Sequence, residues 1–207
     1  KTKNTPPTAT SYLWMEGANW GDGSGAGYPV AGDTANITPI LEGNLTVSVS
    51  GNPLVGILNV GDSGEGLHTI TIGAGGSSPN LTMNASGGTA EINKTSGNLV
   101  VIEKRLYFAS DTVINVAEGE LRMSGGNSRF WDPQSPANPK AGWVAVEGAG
   151  VMVFASEANH ADFSTRFTAE LSIRSNGTLL VNNTFAVNQN GEPATVQVAN
   201  TGQLGGS

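Results

Sequence analysis

The densest cluster of side chains able to do chemistry is "EANHADFSTRF", which carries Glu157, His160, Asp162 and Arg166. Glycoside hydrolysis needs two carboxylates facing across a groove, roughly 5–9.5 Å apart. Glu157 and Asp162 could supply that pair, with Asp132 from a neighbouring segment on the same face. The competing reading makes all of them turn residues outside a folded rod, because Asp and Asn bond their own backbone and support tight turns. The sequence favours the second reading. The other histidine, His68, sits among polar positions in "HTITIG" and is expected to face solvent. No nucleophile-elbow phrase accompanies either histidine, and the chain has no cysteine to act as nucleophile or zinc ligand.

Asp22 and Asp33 flank "GDGSGAG", where calcium is the metal that oxygen ligands would select. The spacing is not that of an EF-hand loop, and the phrase, like "VGDSGEG" at 60–66, reads as a flexible turn. No metal and no cofactor are therefore expected. The aromatic residues carry more. Phe130, Trp131 and Trp143 lie in or beside a stretch rich in proline. Exposed there, their rings would be stacking platforms for a sugar; folded back, they would staple the stretch to the body. Trp14 and Trp20 are expected to close the N-terminal end of a core. Seven Asn-x-Ser/Thr sequons occur, at Asn36, Asn44, Asn80, Asn84, Asn93, Asn176 and Asn182. In a chain this rich in Asn and Thr they follow from composition rather than glycosylation.

The elements that position these residues are legible in the composition. The chain has 207 residues, 29 of them glycine, with 13% charged residues, about half the usual share. The net charge of −7 and the lack of a Lys/Arg stripe exclude nucleic acid as a partner and argue against an anionic membrane surface. No apolar run approaches the ~20 residues that span a bilayer, so no membrane insertion is expected. Few charges, no cysteine and abundant Gly, Asn and Thr suit a bacterial protein outside the cell.

Apolar residues alternate over short runs rather than at helical spacing. Leu45, Val47 and Val49 point one way in "NLTVSVSG", as do Ile70 and Ile72, Leu81 and Met83, Leu121 and Met123, Leu171 and Ile173, and Val196 and Val198. Each run ends in Gly or Asn, which makes the fold all-β with many short strands. A phrase of turn, Leu, any residue and an apolar residue recurs with its leucines at 45, 81, 99, 121, 179 and 204. Several of the gaps fit one coil of a parallel β-solenoid, and the turns are too long for the tight hairpins of a sandwich. At ~20–25 residues per coil the chain makes roughly eight to ten coils, a rod on the order of 40–45 Å long. Residues 1–11, "KTKNTPPTATS", read as an N-terminal arm, and 12–207 as one solenoid domain. The stretch 125–143, with three prolines, cannot sit in a central strand and is expected to project as a loop. The closing "NTGQLGGS" reads as the first strand of a further coil.

The segment "GAGVMVFASEANHADFSTRFTAELSIRSNGTLLVNNTFAV", followed by "ATVQVANTGQLGGS", resembles the autotransporter-associated β-strand repeat of bacterial secreted and surface proteins. The lead-in phrases "ANWGDG", "YPVAGDTANI" and "LNVGDSGEGLHTITIGAG" are similar to those that precede such repeats. The resemblance implies a right-handed parallel β-helix carried to the cell surface or beyond it, and it carries no catalytic residues. The expected function is a non-enzymatic extracellular structural or adhesive element that displays loops to a surface glycan or protein. The alternatives are a self-assembling subunit of a fibre or sheath, joined through solenoid ends or the N-terminal arm, and a carbohydrate-binding or carbohydrate-active β-helix.

Overall fold

Period-two alternation organises this molecule, because it sends successive side chains to opposite faces of a strand. The computed structural model describes residues 2–4, 10–21, 27–64, 68–73, 80–125, 129–130, 142–154, 169–181, 194–198 and 203–206. Their only helical element is the three-residue 3-10 turn Gly17–Asn19; the rest of the regular structure is short strands. No helix among them is long and apolar enough to cross a membrane.

The strands form three sheets, and every pairing within them is parallel. Sheet A has eight strands, from Thr2–Asn4 and Thr34–Ile37 at one end to Ala169–Ile173 and Ala194–Val198 at the other. Sheet B also has eight, from Ser11–Leu13 and Leu45–Ser48 to Thr178–Val181 and Gln203–Gly206. Sheet C is four-stranded and consists of Leu54–Val55, Leu81–Met83, Leu106–Phe108 and Arg129–Phe130. The chain deals its strands to the sheets in rotation. Ile57–Val60 in A is followed by Ile70–Ile72 in B and Leu81–Met83 in C, and Ala90–Lys94 then returns to A beside Ile57–Val60. Parallel neighbours require such a crossover between them, so the sandwich of antiparallel hairpins is set aside. Eight strands per sheet among the described residues match the lower end of the eight to ten coils expected, and at the usual 4.8 Å spacing they span about 34 Å.

Apolar side chains line up across the rungs. In sheet A, Ala35, Leu58, Ile92, Ile114, Val146 and Ile173 are successive partners, and all are buried. In sheet B the row is Leu45, Ile70, Val100, Leu121, Met152 and Leu179, all at zero exposure, and it ends at Leu204. Burying one such side chain stabilises the fold by about 1.5–3 kcal/mol, so the rows are the main cohesive force between rungs.

The leucine repeat is only partly the repeat of the structure. Leu45, Leu121, Leu179 and Leu204 share one row, but Leu81 belongs to sheet C, where it pairs with Leu106. Leu99 stands one residue out of step: it pairs with Glu120, while Val100 takes the buried place beside Leu121. Residues 5–9 of the expected arm lie outside the described residues. Thr2–Asn4 is a strand of sheet A, in register with Thr34–Asn36.

The outer face of sheet A carries a second row. Asn36, Asn59, Asn93 and Asn115 are successive partners. The Asn59 amide donates to Asn36 Oδ1 at 2.7 Å, and that of Asn93 donates to Asn59 Oδ1 at 3.0 Å. An asparagine stack of this kind satisfies side-chain amides in register with the backbone ladder. Its signature was present in the sequence as "ANI", "LNV", "INK" and "INV", each with Asn before an apolar residue or lysine at the strand's end.

Candidate functional site

The most polar buried region lies in the turns that lead from sheet A to sheet B. Asp62, in the turn after Ile57–Val60, is buried, and its carboxylate has three partners. Oδ1 accepts the backbone N–H groups of Leu41 at 3.1 Å and Gly64 at 2.8 Å, and Oδ2 lies 3.0 Å from His68 Nδ1. Burial pushes the pKa of this carboxyl up, but the Gly64 and Leu41 donors and His68 outweigh burial and hold it below the usual aspartate range. An ionised carboxylate only accepts, so Nδ1 of His68 is the donor in this contact. The His68 side chain is 29% exposed.

The next turn up the stack completes the cluster. Asn98 Oδ1 receives the Asp62 N–H at 3.4 Å and the Ser96 hydroxyl at 2.9 Å, and its amide donates to the carbonyls of His68 at 2.9 Å and Leu99 at 3.3 Å. Gly61 is required here, because a Cβ would stand 2.4 Å from Ser96 Oγ. Lys94, in register between Val60 and Val116, is fully buried in a row of apolar residues. Its ammonium turns to the backbone and donates to the carbonyls of Ser96 and Glu118, the latter at 2.8 Å. Burial lowers its pKa to about 8, against the opposing pull of the Glu118 carboxylate.

A carboxylate that orients an imidazole is two-thirds of a nucleophile-activating triad. The hydroxyls beside it point elsewhere: Ser63 donates to the Thr38 carbonyl at 3.1 Å and Ser96 to Asn98. The contacts of Asp62, Asn98 and Lys94 all close turns. The sequence expected His68 to face solvent, and the structure instead half-buries it against Asp62. The two residues are only six positions apart, but a Gly-rich run between them hides the pairing.

Of the expected binding residues, Phe130 ends one strand and Trp143 lies in another, while residues 126–128 and 131–141 of the expected loop lie outside the described residues. Phe130 pairs with Phe108 in sheet C, and Trp143 pairs with Glu170 in sheet A. They therefore belong to different sheets; Trp131 lies outside the described residues. Trp143 is partly buried, with the Arg174 guanidinium 5.7 Å from its ring centroid, and its backbone N–H donates to Asp111 Oδ1 at 3.1 Å. Arg174 also donates to Glu147 Oε2 at 3.2 Å. This is nearer to the stapling arrangement than to an open platform.

Asp33 is buried and accepts the Val30 N–H at 3.2 Å, closing its own turn; Asp22 lies outside the described residues. So do Asp132, Glu157, His160, Asp162 and Arg166. Trp14 and Trp20 are both buried, stacked edge to face with centroids 5.1 Å apart, and Trp20 Nε1 donates to the Trp14 carbonyl at 2.6 Å. Sequon asparagines serve the fold: Asn36 and Asn93 stand in the stack, Asn44 Oδ1 accepts the Thr69 N–H at 2.9 Å, Asn84 Oδ1 that of Ser86 at 2.9 Å, and the Asn80 amide donates to Asn52 Oδ1 at 3.3 Å. Compared with known protein families, curated proteins and solved structures, the chain finds no match.

Proposed function

We propose that the chain is a right-handed parallel β-helix that acts, without catalysis, as a structural or adhesive element outside the bacterial cell or at its surface. The observation that carries this reading is where the polar groups go. Asp62, Asn98 and Lys94 close the turns from sheet A to sheet B, and the asparagine stack binds rung to rung. Such a body is stiff because every rung is held by its neighbours on both sides. Stiffness suits display of a contact surface, and the contact surface of this reading is the stretch 131–141 with Trp131, between the strands that end at Phe130 and begin at Gly142. The low charge, the absence of cysteine and the resemblance of the C-terminal third support export. The partner is a surface glycan or protein.

The test replaces residues 131–141 with a short Gly/Ser linker. The variant should keep the β-sheet circular dichroism and melting temperature of the parent and lose binding to glycan arrays and cell surfaces. Unchanged binding, or release of reducing sugar from any arrayed polysaccharide by the parent, would overturn the reading.

A further inference from the structure

The outward face of sheet B changes character along the stack. On its first strands the outward row is polar, with Ser11, Thr46 and Thr71 as successive partners. From Leu99–Ile102 onward it turns aliphatic. While Val100, Leu121, Met152 and Leu179 fill the core, alternation turns Leu99, Val101, Val151, Val153 and Leu180 outward. Parallel strands that are apolar on both sides are those covered on both faces. Here the core covers one face, and on the other Leu99, Val101, Val151 and Leu180 stay partly exposed.

One ion pair stands in the middle of this aliphatic stretch. Glu120 and Arg122 are in register with Leu99 and Val101 on one side and with Val151 and Val153 on the other. Arg122 Nε donates to Glu120 Oε1 at 2.7 Å, and the two side chains are 41% and 32% exposed. They are the only charged residues in Leu99–Ile102, Glu120–Met123, Val151–Phe154 and Thr178–Val181. The four strands are therefore neutral in a chain of net charge −7, so two copies meeting here are spared like-charge repulsion at the contact. Aliphatic side chains around an exposed pair of opposite charges form a surface that can complement itself.

We propose that this face docks a second copy of the chain, sheet B against sheet B, with the two-fold axis along the stack. Such an axis keeps each rung level with its counterpart and exchanges the positions on either side of Leu121. Glu120 of each copy then faces Arg122 of the other, Leu99 faces Val101, and Val151 faces Val153. Sheets packed face to face at about 10 Å let these side chains interdigitate. A two-fold axis along the strands would instead set Glu120 against Glu120 and Arg122 against Arg122, so the charges select the first arrangement. A contact of this kind uses the same patch on both copies and closes at two. The inference goes beyond the display reading and does not depend on it.

Light scattering on the 21.2 kDa chain should show its mass double with concentration and stop there. Glu120→Arg sets four positive groups across the joint and should remain a single copy. Arg122→Glu sets four negative groups there and should do the same. Both side chains are exposed, so each variant should keep the circular dichroism of the parent. An equimolar mixture of the two variants should regain the doubled mass, and so should the swapped chain Glu120→Arg/Arg122→Glu. A single copy of the parent at millimolar concentration overturns the proposal. So does a doubled mass that survives Glu120→Arg, a swapped chain that stays single, or growth past two copies.

Discussion

The carboxylate of Asp62 and the imidazole of His68 meet at 3.0 Å in a turn whose two neighbours above and below also bind the aspartate. Asp62 thus ties three successive turns together, its side chain reaching the turn below and its backbone N–H the turn above. Its ionised form is the one these contacts favour, and that sets the sign of its effect on stability.

A carboxyl whose pKa is lowered by folding contributes stability that is fully present above the ordinary aspartate range and is lost as pH falls through the folded value. Asp62→Asn should therefore lose about 2–3 kcal/mol at pH 7, the cost of breaking a buried charge-assisted network. Below the ordinary aspartate range the gap between parent and variant should shrink. Urea unfolding at pH 7, 5 and 3 measures it; a gap independent of pH would refute the assignment.

Lys94 is shifted in the same direction, but here folding disfavours the charged form. With its folded pKa near 8, the folded chain releases a proton that the unfolded chain retains up to the ordinary lysine range. The unfolded state then binds more protons, so stability should rise between about pH 8 and 10.5, by on the order of 1–2 kcal/mol after allowance for solvent screening. Lys94→Met should lack that rise and should lose about 1–3 kcal/mol at pH 7 by leaving the Ser96 and Glu118 carbonyls without their donor. Thermal unfolding of both proteins across pH 7–10.5 separates the two effects.

The asparagine stack should behave as a unit. Asn59 bonds in both directions, to Asn36 below and Asn93 above, so Asn59→Ala should cost about 1–2 kcal/mol in chemical denaturation. The double variant Asn36→Ala/Asn59→Ala should cost less than the sum of the two single changes, because both report on the same bond. Strict additivity would show that the stack contributes nothing cooperative.

Gly148 sits at φ +98°, and a Cβ there would stand 2.3 Å from the Val116 carbonyl oxygen of the rung below. Gly148→Ala should destabilise by at least about 2 kcal/mol through strain and collision together. Gly43→Ala, where a Cβ meets nothing within 4 Å, is the control and should be close to neutral. Melting temperatures of the two variants compare them directly.

Much of this architecture was legible without coordinates. Alternation placed Leu45 and Val47, Ile70 and Ile72, Leu121 and Met123, and Leu171 and Ile173 on buried faces, and all eight are buried. Period two is a local property of the chain, so a strand's inner face can be read wherever one side is apolar and the other polar. The reading failed where both sides are apolar. "NLVVI" offers Leu99 or Val100 to the core, and the neighbouring rungs select Val100. In sheet C the strands Leu81–Met83 and Leu106–Phe108 are buried on both faces, so their alternation carries no information about direction.

The sequence by itself determined the composition of each strand, the turns between them and the parallel, many-runged plan. Only the tertiary structure decided register, and register places Lys94 between Val60 and Val116, stacks Asn59 on Asn36, and brings Asn98 to the His68 carbonyl from 30 residues away. Turn lengths differ from rung to rung, so no fixed repeat in the chain encodes those pairings. They are set by which apolar rows and turn contacts close together in space, a sum over rungs that no single stretch of sequence contains.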